Sequence, residues 1–347
     1  MSQQFVPVVG STGKPLMPTT HKRANKLIAK GRAVRRFDRG LFYIKLLDRE
    51  EGYTQPIAVG IDPGSKKEAL TVKSASHTYL NIQADAVTWV KEVEQTSTQM
   101  RRSRRNRKTR YRACRPNRRQ GQFQLPSSTR ARWGWKLRLC RWLARYYPIQ
   151  VFVVENIKAT TKQGQRRWNS SFSPLEVGKQ WFYAELGQIA EVQTVQGYET
   201  KQLRDKLGLK KSKNKMSDQF EAHCVDSWVL ANSAVGGHTD VDNPAILCII
   251  PLRFHRRQLH ALQFAKGGER RPYGGTLSMG IKRGTWIKHP KYGLCYVGGS
   301  NKSRISLHDM DSGQRVCQKA KPEDCIILTT ASWRIKSERS KALPPHA

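Results

Sequence analysis

"PIAVGIDPGSKKEAL", residues 56–70, is an apolar run that ends in a bare carboxylate, Asp62, followed at once by a proline and a glycine. Asp, Pro and Gly are common punctuation after a strand, so one reading of Asp62 is a turn residue. The other is chemical. A carboxylate at the tip of a central strand is where a hydrolase holds a metal ion, and that reading needs partner acids elsewhere in the chain.

Two later stretches supply them. "IQVFVVENI" (149–157) is a continuous apolar strand that ends in Glu155, and "EAHCVDSWVLA" (221–231) has a helical pattern with His223 and Asp226 three residues apart on one face. Two-metal phosphodiester hydrolysis asks for such a set. Carboxylate oxygens suit hard Mg²⁺, and two ions about 4 Å apart stabilise the attacking and leaving oxygens together. About three carboxylates balance their charge, and a neutral histidine takes the proton of the attacking water. Each residue also has a plainer role open to it. Glu155 suits a strand-end ion pair with one of the many arginines, and His223 suits a helix-face histidine satisfied by a carbonyl.

The charge balance points to a polyanionic partner. The chain has 347 residues, 63 Lys and Arg against 26 Asp and Glu, and a formal net charge of +37. A compact monomer would carry that charge only against strong self-repulsion, and nucleic acid relieves it. A membrane surface fits less well, because the longest apolar stretch, "AILCII" (245–250), is far too short to span a bilayer. The first twenty residues lack a basic stretch followed by an apolar core, so no secretory signal is expected and the expected location is cytoplasmic. Seven cysteines (114, 140, 224, 248, 295, 317 and 325) form no C-x-x-C pair, which argues against a zinc ribbon and, with the odd count, against a disulfide framework.

Residues 1–50 read as a small unit: a double-proline turn, a Thr-capped basic helix, then a β-like "LFYIKLL" (41–47). "IAVGID", "ALTVKS" and "TYLNIQ" then suggest an antiparallel meander opening an α/β domain. Residues 101–119, "RRSRRNRKTRYRACRPNRR", hold eleven Lys or Arg in nineteen positions. Such a helix repels itself at i,i+3 and i,i+4, and a polyanion would order it. "TRARWGWKLRLCRWLARYY" (129–147) reads as an amphipathic helix with Trp133, Leu137, Cys140 and Ala144 on one stripe, stopped by Pro148. Residues 172–192 look helical, "VQTVQGY" (192–198) reads as a strand and "LKKSKNK" (209–215) as a Lys-rich linker. In "MSDQFEAHCVDSWVLANSAVGG" (216–237), Asp218 and Glu221 have capping-box spacing and Gly236 can close the helix. From about 245 the sequence turns Gly-rich and β-leaning, consistent with a small SH3-like barrel. Trp133, Trp135, Trp168 and Trp181 suit base stacking, although core packing is expected for most of them.

This order of motifs resembles the RNase H-like superfamily, and within it the RuvC nuclease split into three blocks, as in the RNA-guided nucleases ancestral to type II CRISPR effectors. "VGIDPGS" (59–65), "VVENI" (153–157) and "EAHCVDSWVLA" (221–231) carry the blocks. The arginine run lies where those proteins have the bridge helix, and "KPLMP" (14–18) is similar to the PLMP domain of the transposon-encoded IscB and IsrB families. IscB proteins insert an HNH nuclease between the second and third blocks. Here no histidine lies between His77 and His223, so an HNH site has no residues to be built from, and the resemblance is to the HNH-lacking IsrB family.

The resemblance implies an α/β fold: an RNase H-like (RuvC) core with an arginine-rich bridge helix, an N-terminal PLMP domain and a β-rich C-terminal domain. The implied boundaries are PLMP 1–52, RuvC block I 53–95, bridge helix 96–127, block II 128–200, block III 201–238 and a C-terminal interaction region 239–347. Asp62, Glu155 and Asp226 would be metal ligands, and His223 would activate the water. The implied cofactor is Mg²⁺, two ions, with Mn²⁺ able to substitute. The implied activity is RNA-guided nicking of the displaced non-target DNA strand by a monomeric protein in a ribonucleoprotein. The implied partners are an ωRNA guide and duplex DNA with a target-adjacent motif, with no membrane. Arg101, Arg102, Arg104, Arg105, Arg107, Lys108, Arg110 and Arg112 are the expected guide contacts. Two other functions suit parts of the sequence: a non-catalytic basic RNA-binding protein, or a guide-independent RNase H-like nuclease such as a junction resolvase. The first leaves the acids unexplained and the second leaves the arginine run and the PLMP segment unexplained. A TnpB-like nuclease is disfavoured by the missing zinc-ribbon cysteines.

Overall fold

The computed structural model describes residues 5–106, 125–158, 173–237, 240–253, 276–301 and 303–336, with the backbone of short strands at 258–259, 262–263, 268–269 and 273–274. These fall into two compact units, one within 1–12, 18–50 and 246–347, the other within 13–17 and 51–245.

The N-terminal elements are β1 (Phe5–Val9), β2 (Pro15–Thr20), α1 (His21–Ala29), β3 (Ala33–Asp38) and β4 (Leu41–Leu46), all in the first unit except the start of β2 at residues 15–17. "PLMPTT" is a strand rather than the expected turn. The fixed φ of proline suits extended backbone, and Pro15 stands at the first position, where a missing N–H matters least. Thr20 does cap α1, its Oγ1 accepting from the Arg23 amide at 3.4 Å. β4 runs parallel to β1 and antiparallel to β3. Arg39 and Gly40, both at positive φ, make the two-residue turn that closes the β3–β4 hairpin. Late in the chain, β10 (Ile246–Pro251) pairs antiparallel with Trp333–Lys336. The expected C-terminal β region is a five-stranded antiparallel sheet in the spatial order 315–320, 304–309, 293–301, 285–289, 326–330. Ile287, Cys295, Val297, Ile305 and Leu307 form its core.

The second unit holds the candidate acids. β5 (Ile57–Asp62), β6 (Lys67–Ser74) and β7 (Thr78–Asp85) form the antiparallel meander, followed by α2 (Val90–Arg105) and α3 (Ser127–Leu143). Next come β8 (Ile149–Asn156), α4 (Pro174–Gly187), β9 (Glu191–Gln196), α5 (Gly197–Lys206) and α6 (Phe220–Val235). β8 lies parallel to β5 and β9 parallel to β8, so the order across the sheet is β7-β6-β5-β8-β9. Three antiparallel strands extended by two parallel ones, with helices in the crossovers, are the RNase H-like fold. The strand carrying Asp62 is at the centre of the five.

α6 packs straight onto the backbone of β5. A Cβ on Gly60 would stand 1.9 Å from the Ser227 carbonyl oxygen, so no other residue fits there. Gly60, Thr71 and Asn81 lie side by side across β5, β6 and β7. Thr71 Oγ1 meets Ser227 Oγ at 2.8 Å and donates to Asn81 Oδ1 at 3.0 Å, which ties α6 to the meander by buried hydrogen bonds. Ala58, Val151, Val153, Leu230 and Ala231 fill the rest of this face.

α3 is more deeply sunk than a single stripe allows. Trp135, Leu139 and Trp142 are buried along with Trp133, Leu137 and Cys140, while Ala144 is only half-buried. α4 comes so close that a Cβ on Gly178 would meet the Trp133 ring at 2.5 Å. Trp133 and Trp135 are therefore core residues, the role expected for most of the tryptophans. α6 ends at Gly236 with φ 67, as expected, but its N-cap is Gln219 without a side-chain cap bond. Asp218 instead pairs with Lys67 Nζ at 2.7 Å, an ion pair stronger than a cap to a backbone N–H, so the capping box does not form. "GYETKQLRDK" is helix α5 rather than the tail of a strand, begun by a capping box between Gln196 and Glu199. No helix among the described residues is long and apolar enough to cross a membrane.

Candidate metal centre

Asp62 is the last residue of β5 and Glu155 the penultimate residue of β8, its parallel neighbour, so both carboxylates emerge at the same end of the sheet. The Gly60–Ser227 contact is two residues from Asp62 and one from Asp226, and it fixes the third acid beside the first two. One oxygen each from Asp62, Glu155 and Asp226 lie within 4.8 Å of one another. Among the described residues this is the one group of three or more ligand-type side chains so close together.

The crowding has an electrostatic signature. Burial pushes the Glu155 carboxyl up to about 7, and the charge of Asp62, a hydrogen bond to Asp62 and the charge of Asp226 push the same way against Lys211. Three carboxylates thus carry more negative charge than the site accommodates by itself. The surplus and the all-oxygen donor set both fit a hard divalent cation such as Mg²⁺ or Mn²⁺.

His223 stands beside Asp62, with Nδ1 3.6 Å from Asp62 Oδ2. Its Nε2 lies 2.9 Å from the Lys215 carbonyl oxygen, which can only accept, so Nε2 carries the hydrogen and Nδ1 is the nitrogen that gains or loses a proton. The Asp62 carboxylate, first, and the Lys215 carbonyl hold the imidazole pKa above its ordinary value against burial.

Several residues that build this site carry no motif. Gly197 opens α5 directly beneath Glu155, where a Cβ would lie 2.8 Å from Glu155 Oε1, so the carboxylate rests against the positive first turn of a helix. Lys179 of α4 donates to Asn156 Oδ1 at 2.7 Å and to the Ile157 carbonyl at 3.1 Å, fastening the end of β8 just past Glu155. Arg204 of α5 holds Asp226 Oδ1 at 2.5 Å, and Lys211 holds the other oxygen. A glycine inside a strand, as in "VGID", is the one sequence signal among these, because it marks a close backbone approach.

None of the described residues of α2 is buried. Arg101, Arg102 and Arg105 are exposed on it, and the side chain of Arg104 is not among those described. Arg107, Lys108, Arg110 and Arg112 lie outside the described residues, as does Trp168; Trp181 is half-buried.

Residues 6–171 match the model of a family described as RRXRR protein. The pattern in that name occurs here as Arg101-Arg102-Ser103-Arg104-Arg105. Comparison with curated proteins finds no match. Among solved structures, a Thermus thermophilus RuvC in complex with a Holliday junction substrate is 14% identical, covering 53% of this chain and 98% of that one, with a TM-score of 0.28. A second structure of Thermus thermophilus RuvC is 16% identical, covering 52% of this chain and 97% of that one, with a TM-score of 0.24. The chain is thus similar to these proteins at a distance, and its RNase H-like assignment stands on its strand order.

Proposed function

We propose that this protein is an RNA-guided DNA nickase with a single RuvC-type centre. The observation that carries the proposal is the convergence of Asp62, Glu155 and Asp226, with His223 beside Asp62, at the end of an RNase H-like sheet. Asp62, Glu155 and Asp226 would hold Mg²⁺, or Mn²⁺ in its place. A bound divalent cation supplies Lewis-acid polarisation of the phosphodiester and a more acidic water. His223, with Nε2 tied to the Lys215 carbonyl, receives the proton of the attacking water at Nδ1. Lys179, Gly60 and Gly197 hold the acids in register with one another.

The partner follows from charge and exposure. A net charge of +37 and an unburied helix bearing R-R-x-R-R favour a polyanion held by its backbone. The family model covers the PLMP segment, the first block, the arginine run and the first part of the second block as far as residue 171, which supports a guide RNA (ωRNA) as that polyanion. Base pairing by the guide then selects the DNA, with a target-adjacent motif read by the protein, and the displaced strand reaches the acids. With no histidine between His77 and His223 there is one centre, and one centre cuts one strand.

The test is to purify the full chain with the RNA it retains, sequence that RNA, and offer a matching duplex with each strand separately labelled. Mg²⁺-dependent cutting of the displaced strand alone, lost in Glu155→Ala, is the expected result. Cutting of both strands, or the absence of bound RNA, contradicts the proposal.

A further inference from the structure

"LKKSKNK" reads as a linker, yet the chain that contains it is fastened across the acids. After α5 it turns at Gly208, with φ 66. The Ser212 amide donates to the Glu221 carbonyl at 2.8 Å and His223 Nε2 to the Lys215 carbonyl at 2.9 Å, so two points of the strap are tied to α6. Gln83 Nε2 donates to the Ser217 carbonyl at 2.9 Å, and Asp218 binds Lys67, so its far end is tied to the meander. Lys211 stands immediately before the first of these anchors, and its ammonium is bound to Asp226 Oδ2.

Asp226 is therefore engaged at both oxygens, by Lys211 and by Arg204, while its side chain is only 4% exposed. Asp62 and Glu155 also act on the Lys211 ammonium. An ion ligated by Asp226 enters a half-buried space that already holds a positive charge, and like charges at such distances repel strongly where water is scarce. The two resident cations differ in what they can do. The guanidinium of Arg204 is planar, permanently charged and borne on α5, whereas Lys211 carries a compact ammonium on a flexible stem whose side chain is 31% exposed. Lys211 is the one able to swing out.

We infer that Lys211 competes with the divalent cation for Asp226 and so sets how tightly the centre holds metal. This rests on the metal-site reading above. An ion binding to Asp62, Glu155 and Asp226 meets the guanidinium at Asp226 Oδ1 or the ammonium at Oδ2, and the ammonium is the one that can give way. The affinity of the three acids is held down by a lysine that the strap delivers to them. A lysine that merely ordered Asp226 for the metal would act with the opposite sign.

The sign is measurable without any cleavage assay. Mn²⁺ is titrated into the full-length protein and free Mn²⁺ is followed by electron paramagnetic resonance, for wild type, Lys211→Met, Lys211→Gln, Lys211→Arg and Asp226→Asn. Lys211→Met and Lys211→Gln are expected to bind Mn²⁺ about tenfold tighter or more, with a larger rise in melting temperature on adding Mn²⁺. Lys211→Arg is expected to bind no tighter than wild type. Unchanged or weaker binding by both neutral variants overturns the inference and leaves the metal site standing. If wild type binds no Mn²⁺ that Asp226→Asn loses, the metal site falls and the inference with it.

Discussion

The same sheet contains two meetings of buried acid with buried base, and they have different consequences. Glu68 on β6 and Lys136 on α3 form a pair 2.7 Å apart with side chains 0% and 5% exposed. One acid meets one base and the charge closes on itself, although Glu68 Oε2 finds no partner among the described residues. At the sheet's end three acids converge against Lys211 and Arg204, and burial, together with the neighbouring Asp62 and Asp226 carboxylates, pushes Glu155 up to about 7. A closed pair fastens a helix, whereas surplus carboxylate charge invites a cation. Burial and charge alone do not separate a structural acid from a functional one; convergence does.

The sharpest way to break this comparison is to remove the acids one by one. Asp62→Asn, Glu155→Gln or Asp226→Asn is expected to lower nicking by about three orders of magnitude or more, since several kcal/mol of charge stabilisation is lost. Folding should be little affected in Asp62→Asn and Glu155→Gln, as judged by urea denaturation, whereas Asp226→Asn also removes the charge that Arg204 and Lys211 pair with and should cost some stability. Lys136→Met should do the reverse. Leaving Glu68 buried without its partner costs about 3–5 kcal/mol of stability, and Lys136→Met/Glu68→Leu recovers most of it because an apolar pair replaces the ionic one. Gly197→Ala sharpens the contrast further. It adds one methyl against Glu155 Oε1, so it should weaken Mn²⁺ binding by about 10–100-fold while leaving the urea midpoint nearly unmoved.

The smallest effect is in pH. Glu155 takes up its proton at about 7 in the folded chain against an ordinary value of 4.5, so between these values the folded state binds more protons than the unfolded one. Stability contributed by this group is present below that window and falls as pH rises through it. In Glu155→Gln that slope should disappear. Metal binding has the opposite slope, because Glu155 must lose its proton to ligate, and Mn²⁺ affinity is expected to climb from about pH 6 to pH 8.

The strands were legible because β5, β6, β7 and β8 are apolar runs with turn residues between them, and α6 because apolar residues surround His223 and Asp226. The beginning of β6 was not. Lys67 and Glu68 look like loop residues, and they are buried in the strand only because Asp85, Asp218 and Lys136, all far away in sequence, neutralise them. α5 lacks an apolar stripe and is set by its capping box and by the fit of Gly197 under Glu155. The strap at 209–219 is polar apart from Leu209 and Met216, and its position is fixed by tertiary hydrogen bonds rather than by any local preference. Asp62, Glu155, His223 and Asp226 could be singled out because each ends an element or lies on a helix face beside apolar residues. Gly60 carries a signal as a glycine inside a strand, whereas Lys179, Gly197, Arg204 and Lys211 act through contacts that sequence order does not foretell.

The central claim is that the three acids hold divalent metal, and diffraction reports on it most directly. Crystals of the wild-type protein soaked in Mn²⁺, measured at the manganese absorption edge, should show anomalous density bounded by Asp62, Glu155 and Asp226, and Asp226→Asn should diminish it. Anomalous density confined to other places, with Asp226 still held by Lys211 and Arg204 at saturating Mn²⁺, would contradict the account.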